Sequence, residues 1–207
     1  MKIICIGRNY AEHIAELDHT RDVPRSPQFF LKPDTALLRN NDPFYVPDFS
    51  REVHYETELV LKIDRVGRCI EERFAHRYYH EVGLGIDFTA RDLQRECIAR
   101  GLPWEICKGF DHSAALSPCF VPLDELGGDV RKLHFDMSLN DEVRQRGDTA
   151  DMIFAPDRIV SYVSRFITLK IGDLIFTGTP VGVGPVRPGD RLRATLEGRT
   201  MLDFDIR

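Results

Sequence analysis

Three acidic side chains carry the clearest chemical possibility in this sequence. In VHYETELVL, residues 53–61, His54, Glu56 and Glu58 alternate immediately before Leu59, Val60 and Leu61. Alternate residues of a strand share a face, so these three would line one side and Val53, Tyr55, Thr57 and Leu59 the other. Two strand steps set the Cα atoms of Glu56 and Glu58 about 6.6 Å apart, near enough for both carboxylates to reach one ion. A third acid, Asp87 in GLGIDFTARD, closes an apolar segment where the chain leaves a sheet, a common position for site residues. Three carboxylates gathered without a cation repel by about 4 kcal/mol per pair at 4 Å and an effective dielectric near 20. They therefore either lie apart, as a solvated strand face, or share a metal, and all-oxygen donation favours Mg²⁺, Mn²⁺ or Ca²⁺ over Zn²⁺.

Three carboxylates around a dication leave a net negative site, so an anionic substrate calls for cations nearby. Lys108, set between Ile106-Cys107 and Phe110, and Arg91 in DFTARD are the candidates. A general base is offered by His13 and Glu16, which at i and i+3 of a helix share a face. A carboxylate accepting from one imidazole nitrogen leaves the other free to activate water. TGTPVGVGP, residues 177–185, is either a tight turn or a cradle whose amides receive a carboxylate. It lacks the lysine and spacing of a phosphate-binding loop.

The elements that must position these groups read as mainly β with a few peripheral helices, an α+β pattern. KIICIG, FFLKP ending at Pro33, and EVGLGIDFT are expected strands, and REVHYETELVLKIDRVG one long strand. YAEHIAELDH reads as a short helix capped by Asn9, and ARDLQRECIARG as a helix stopped by Gly101. LHFDMSLNDEVRQRGDT suggests a hairpin turning at Asn140-Asp141, and Glu197-Gly198 a second hairpin turn. PDRIVSYVSRFITL is expected to be helical, with Pro156 in the first turn and Ile159, Tyr162, Val163 and Phe166 on one face.

At 207 residues, 43% hydrophobic and 29% charged, the chain fits one domain over residues 1–207, with no repeat and no linker. A formal charge of -5 and the absence of a basic run argue against nucleic-acid binding. Neither a signal-peptide core nor a membrane span is visible, so a cytoplasmic protein is expected. The five cysteines lack a C-x-x-C pair and read as reduced thiols, Cys107 beside Lys108 being the one candidate for reactivity.

GRNY with His13 and Glu16, FFLKP, HYETEL, GIDFTARD with Gln94, LPWEICKGFD and GDLIFTGTPVGVGPV together resemble the fumarylacetoacetate hydrolase family, in the same order over nearly the whole chain. The likeness is to its short single-domain members, among them acylpyruvases and oxaloacetate decarboxylases. It implies a β-roll-like catalytic domain, a homodimer, and Mg²⁺ or Mn²⁺ held by Glu56, Glu58 and Asp87. His13, Glu16 and Lys108 are then the catalytic residues, and Arg8, Arg91, Gln94 and Thr179 line the pocket of a small 2-oxo acid. His54 falls at a position that is not a ligand. The implied activity is C–C cleavage through a metal-stabilised enolate, with an isomerase or oxaloacetate keto–enol tautomerase as the alternative. A catalytically silent module of the same fold would lack the base, the lysine or a metal ligand, and all are present. DHTRDVPRSPQ matches no pattern and is expected to form part of a lid over residues 17–28.

Overall fold

The computed structural model of the chain describes residues 1–18 and 22–207. A mixed sheet forms its centre. Strand β1 (Ile3–Gly7) pairs antiparallel with β2 (Gln28–Lys32) and parallel with β12 (Leu174–Phe176). Next to β12 lies β5 (Thr57–Ile63), then β6 (Tyr79–Asp87), β8 (Ala114–Leu116) and β3 (Leu37–Leu38), with β9 (Val121–Pro122) also on β6. A second sheet joins β10 (His134–Leu139), β11 (Glu142–Asp148), β14 (Arg191–Leu196) and β15 (Arg199–Asp205) in the order β11-β10-β14-β15. A third, small sheet is β13 (Gly184–Pro185), β4 (Val53–Tyr55) and β7 (Thr89–Ala90). The helices are α1 (Ala11–Asp18), α2 (Arg91–Arg100), α3 (Glu105–Lys108) and α4 (Pro156–Ser164).

The two faces of the central sheet bury separate apolar sets, as a period of two requires. Ile4, Ile6, Leu59, Leu61, Leu84 and Ile86 pack with Phe135, Met137, Leu192 and Ala194 of the second sheet. On the opposite face Ile3, Cys5, Val60, Leu174 and Phe176 form their own cluster. Strands β5 and β6, buried on both faces, therefore read as continuous apolar runs.

Several expectations need correction. The stretch around Glu56 is not one strand: it breaks between Tyr55 and Thr57, sending β4 to the small sheet and β5 to the central one. Asn9 does not cap α1, because its side chain is consumed in the core, donating to Phe154 O and Thr177 O and accepting from Phe154 N. Helix α4 ends at Ser164, with Ile159, Val160 and Val163 as its buried stripe. Tyr162 is half-buried, and Phe166 lies beyond the helix, exposed, with its ring against Tyr162 and Phe29. The reading of the cysteines as ordinary thiols agrees with the site of Cys107, the one candidate for reactivity: it is buried, and burial with Cys97 alongside pushes it up to about 12, the direction of an inert thiol.

The remaining turns fall where expected. Asn140 and Asp141 both take positive φ, 54° and 65°, as a two-residue hairpin turn demands. Glu197 and Gly198 do the same at the second hairpin, and Gly101 ends α2 with its N–H on Cys97 O and Ile98 O. No helix among the described residues is long and apolar enough to cross a membrane. The expected lid falls partly on residues 19–21, which lie outside the described residues.

Phe88, directly after Asp87, is completely buried and stacks on Phe44 at 3.8 Å between ring centroids, with the edge of Phe204 at 6.3 Å. Phe88→Ala is expected to cost about 3–5 kcal/mol in urea unfolding.

Candidate active site and metal centre

Glu56 occupies the break between β4 and β5, and its carbonyl accepts from Asp87 N at 2.8 Å, so the strand break is fastened to the end of β6. Glu58, one pleat further, pairs with Gly85 of β6. This register brings the third acid to the first two. One oxygen from each of Glu56, Glu58 and Asp87 lies within 4.8 Å of the others, and all three residues are buried. His54 is carried off by the small sheet, where it contacts Glu52 at 2.9 Å. Burial, followed by the charge of Arg91, lowers its pKa.

Lys108, at the end of α3, donates to Glu56 Oε2 at 2.7 Å and Asp87 Oδ2 at 2.8 Å. Arg91, opening α2, donates to the other oxygen of Glu56 and to Gln94 Oε1. Burial opposes ionisation of Glu56 most strongly, yet Lys108 and Arg91 together outweigh it and hold this carboxyl far below the usual range. For Lys108 burial favours the neutral amine, but Asp87 and Glu56 overcome it and raise its pKa. Glu58 differs. Its Oε2 accepts from Gly178 N at 2.6 Å, while burial and then the charges of Asp87 and Glu56 push its pKa well up.

Sequence reasoning missed Lys32. Its ammonium is buried 2.8 Å from Asp87 Oδ1, and its three N–H groups are shared among that carboxylate, Phe88 O, Ser113 O, Ser113 Oγ and Lys108 O. A lysine ending the apolar run QFFLK just before Pro33 was the available signal. Lys32, Arg91 and Lys108 thus face Glu56, Glu58 and Asp87: three buried cations against three buried acids. Gln145 was missed as well. It lies in the polar run EVRQRGD, where an irregular register between Met137 and Ser138 turns Gln145 inward and leaves Val143 outside.

Around this cluster is a cavity of about 260 Å³ whose lining includes the polar Arg8, His13, Gln28 and Thr179 and the apolar Phe30, Ile98 and Trp104. Arg91, Gln94, Lys108 and the three acids complete its wall. Every expected site residue except Glu16 therefore borders one space. Glu16 stands behind His13, with Oε2 3.2 Å from His13 Nδ1 and Oε1 accepting from Gly182 N at 3.1 Å. Since a carboxylate only accepts, this contact places the proton on Nδ1 and leaves Nε2 basic. Of the two readings of TGTPVGVGP the structure shows the cradle, and the carboxylates it receives are the chain's own, Glu58 at Gly178 N and Glu16 at Gly182 N. Gly178 and Gly182 both have φ +100°, and a Cβ would meet Asn9 Cβ at 2.7 Å or Arg144 O at 2.2 Å respectively.

The fumarylacetoacetate hydrolase C-terminal model matches residues 2–207. The chain belongs to this family. Mouse mitochondrial oxaloacetate tautomerase FAHD1 is 42% identical over 205 residues, 99% of this chain and 91% of that protein. Mitochondrial oxaloacetate decarboxylase of Dictyostelium discoideum is 39% identical over 99% of this chain and 93% of its own length. Fumarylpyruvate hydrolase from Pseudomonas aeruginosa, solved with Mn²⁺ and pyruvate, superimposes with TM-score 0.92 at 36% identity, covering 100% of this chain and 89% of that one. The expected β-rich family fold is thereby established.

The donor set fits a hard dication. Its carboxylate oxygens converge, and Glu58 is driven toward protonation by burial and then by its acidic neighbours, a strain that a divalent ion would relieve. Adding Mg²⁺ or Mn²⁺ is expected to raise the thermal midpoint by several degrees. A carboxyl with a raised folded pKa holds its proton in competition with the ion, so this shift should grow from pH 5 to pH 8 in differential scanning fluorimetry. Lys32→Met strands a buried carboxylate and several carbonyls, and a loss of about 3–5 kcal/mol is expected in urea unfolding.

Proposed function

We propose that this chain is a divalent-metal-dependent enzyme that breaks a C–C bond of small 2-oxo acids, decarboxylating oxaloacetate and hydrolysing acylpyruvates through the enolate of pyruvate. The observation that carries this reading is the convergence of a paired base, three acids and a buried ammonium on one cavity. Glu56, Glu58 and Asp87 would hold Mg²⁺ or Mn²⁺. Such an ion supplies Lewis-acid stabilisation of charge developing at the 2-oxo oxygen.

The residues supply the remainder. The cluster holds three acids, Glu56, Glu58 and Asp87, and three cations, Lys32, Arg91 and Lys108, so a dication would add two positive charges that a 2-oxo dicarboxylate balances. For an acylpyruvate, His13 Nε2 takes a proton from water, and Glu16 steadies the imidazolium through Nδ1–H. The resulting hydroxide attacks the distal carbonyl, the C–C bond breaks, and the electron pair remains on the pyruvate fragment as an enolate. Oxaloacetate reaches the same enolate by losing carbon dioxide, with no water consumed. In both cases Lys108 offers a fixed positive charge where negative charge accumulates. The enolate finally takes a proton at carbon.

Keto–enol tautomerisation of oxaloacetate is the second reading, favoured by the mouse relative's activity. Here His13 would move a proton at C3 without breaking a C–C bond. The two separate in one assay, since tautomerisation changes enol absorbance while pyruvate release reports cleavage.

Purified protein with Mg²⁺ or Mn²⁺ should release pyruvate from oxaloacetate and from acetylpyruvate, and a chelator should abolish both reversibly. His13→Ala should lower acetylpyruvate cleavage by roughly 10²–10⁴-fold while leaving metal affinity intact. Glu56→Gln should weaken metal binding by calorimetry. Undiminished turnover in chelator, or in His13→Ala, would falsify the corresponding part of the scheme.

A further inference from the structure

Gln145 reaches from β11 of the second sheet into the catalytic side of the central one. Its Oε1 accepts from Thr57 N at 3.0 Å, and its Nε2 donates to Pro180 O at 3.0 Å and to Thr179 Oγ1 at 2.8 Å. Thr57 N–H can only donate and Pro180 O can only accept, so the amide has one possible orientation. One Nε2 hydrogen is used on Pro180, and the second leaves Thr179 Oγ1 as an acceptor. The hydroxyl's own proton must then go elsewhere. Among the described residues no acceptor meets it, and Thr179 is buried against the cavity that also holds Glu58, Asp87 and Lys108.

We propose that Gln145 is a positioning residue that fixes the Thr179 hydroxyl as a hydrogen-bond donor to an anionic oxygen of the bound 2-oxo acid. A threonine hydroxyl is ordinarily ambivalent, able to accept or donate. Gln145, only 1% exposed, removes that freedom before substrate arrives. A donor already oriented needs no reorganisation when charge develops on the substrate oxygen. The neighbouring backbone reinforces the geometry. Thr57 lies between Glu56 and Glu58, and Arg144 O sits where a side chain on Gly182 would have to go, so residues 144–145 brace both the acid strand and the loop holding Glu16. This inference rests on the assignment of an anionic 2-oxo substrate to the cavity.

A double-mutant cycle tests it. With Mg²⁺ present, kcat/KM for oxaloacetate and, by calorimetry, Kd for pyruvate are measured for the wild type, Gln145→Met, Thr179→Val and the double variant. Each single change should lower kcat/KM roughly ten- to a hundredfold, the size of one hydrogen bond to a charged oxygen. The double variant should be no worse than the poorer single, because Gln145 has nothing to orient once the hydroxyl is gone. A purely structural role predicts effects that multiply, and multiplication overturns the proposal. Gln145→Glu gives an independent readout should Gln145→Met fail to fold. An ionised carboxylate would accept the Thr179 proton and withdraw the donor, whereas a protonated one can donate as the amide does. Its activity relative to wild type should therefore rise as pH falls; a flat ratio overturns the proposal. Glu16 and Glu58, held by the amides of Gly182 and Gly178 in the same loop, are common to both proteins, so the ratio reads what differs between them, the group at position 145. If the wild type leaves oxaloacetate untouched, the substrate assignment fails, and the cycle is read on pyruvate affinity alone. Absence of pyruvate binding as well overturns both.

Discussion

The controlling constraint is the burial of six ionisable side chains in one place. A charge removed from water costs several kcal/mol unless it meets an opposite charge and satisfies its hydrogen bonds. Lys32, Arg91 and Lys108 provide the opposite charge for Glu56 and Asp87 through direct contacts. Glu58 receives a backbone amide from Gly178 instead of a cation. The cluster is therefore unevenly neutralised, and its deficit sits on the side facing the cavity, where a dication would have the greatest effect. An arrangement that pairs every acid would be a sound core and a poor metal site.

Two devices keep the cluster in register. The break at Glu56 lets consecutive segments of chain serve different sheets, with Asp87 N closing the gap to Glu56 O. The glycine loop after β12 presents amides to Glu58 at Gly178 and to Glu16 at Gly182, joining one acid of the cluster and the partner of the imidazole to a single stretch of backbone. Both glycines adopt a backbone conformation that side chains disfavour, and both have neighbours where a Cβ would go. His13, through Glu16, and the acid cluster are thereby linked through that loop.

Lys32 connects the same parts from below. Its ammonium gathers the Asp87 carboxylate with carbonyls of Phe88, Lys108 and Ser113, so one side chain sets the spacing between Asp87 and the segment that carries Lys108. Convergent oxygens suit a tetrahedral ammonium with three donors; a planar guanidinium would not reach them in the same way.

Residue types and their local spacing were enough to nominate Glu56, Glu58, Asp87, His13, Glu16 and Lys108, to mark the hairpins at Asn140-Asp141 and Glu197-Gly198, and to place Gly101 at the end of α2. These features are short-range: the periodicity of a strand, the pitch of a helix, the conformational needs of a turn. The break after Tyr55, the core role of Asn9, the exposure of Phe166, and the parts taken by Lys32 and Gln145 were decided only by tertiary structure. Asn9 bonds to chain 145 and 168 residues away, and Gln145 to an amide 88 residues away. Local spacing holds no record of such partners, because a buried polar side chain takes its meaning from whichever distant backbone the fold leaves unsatisfied beside it.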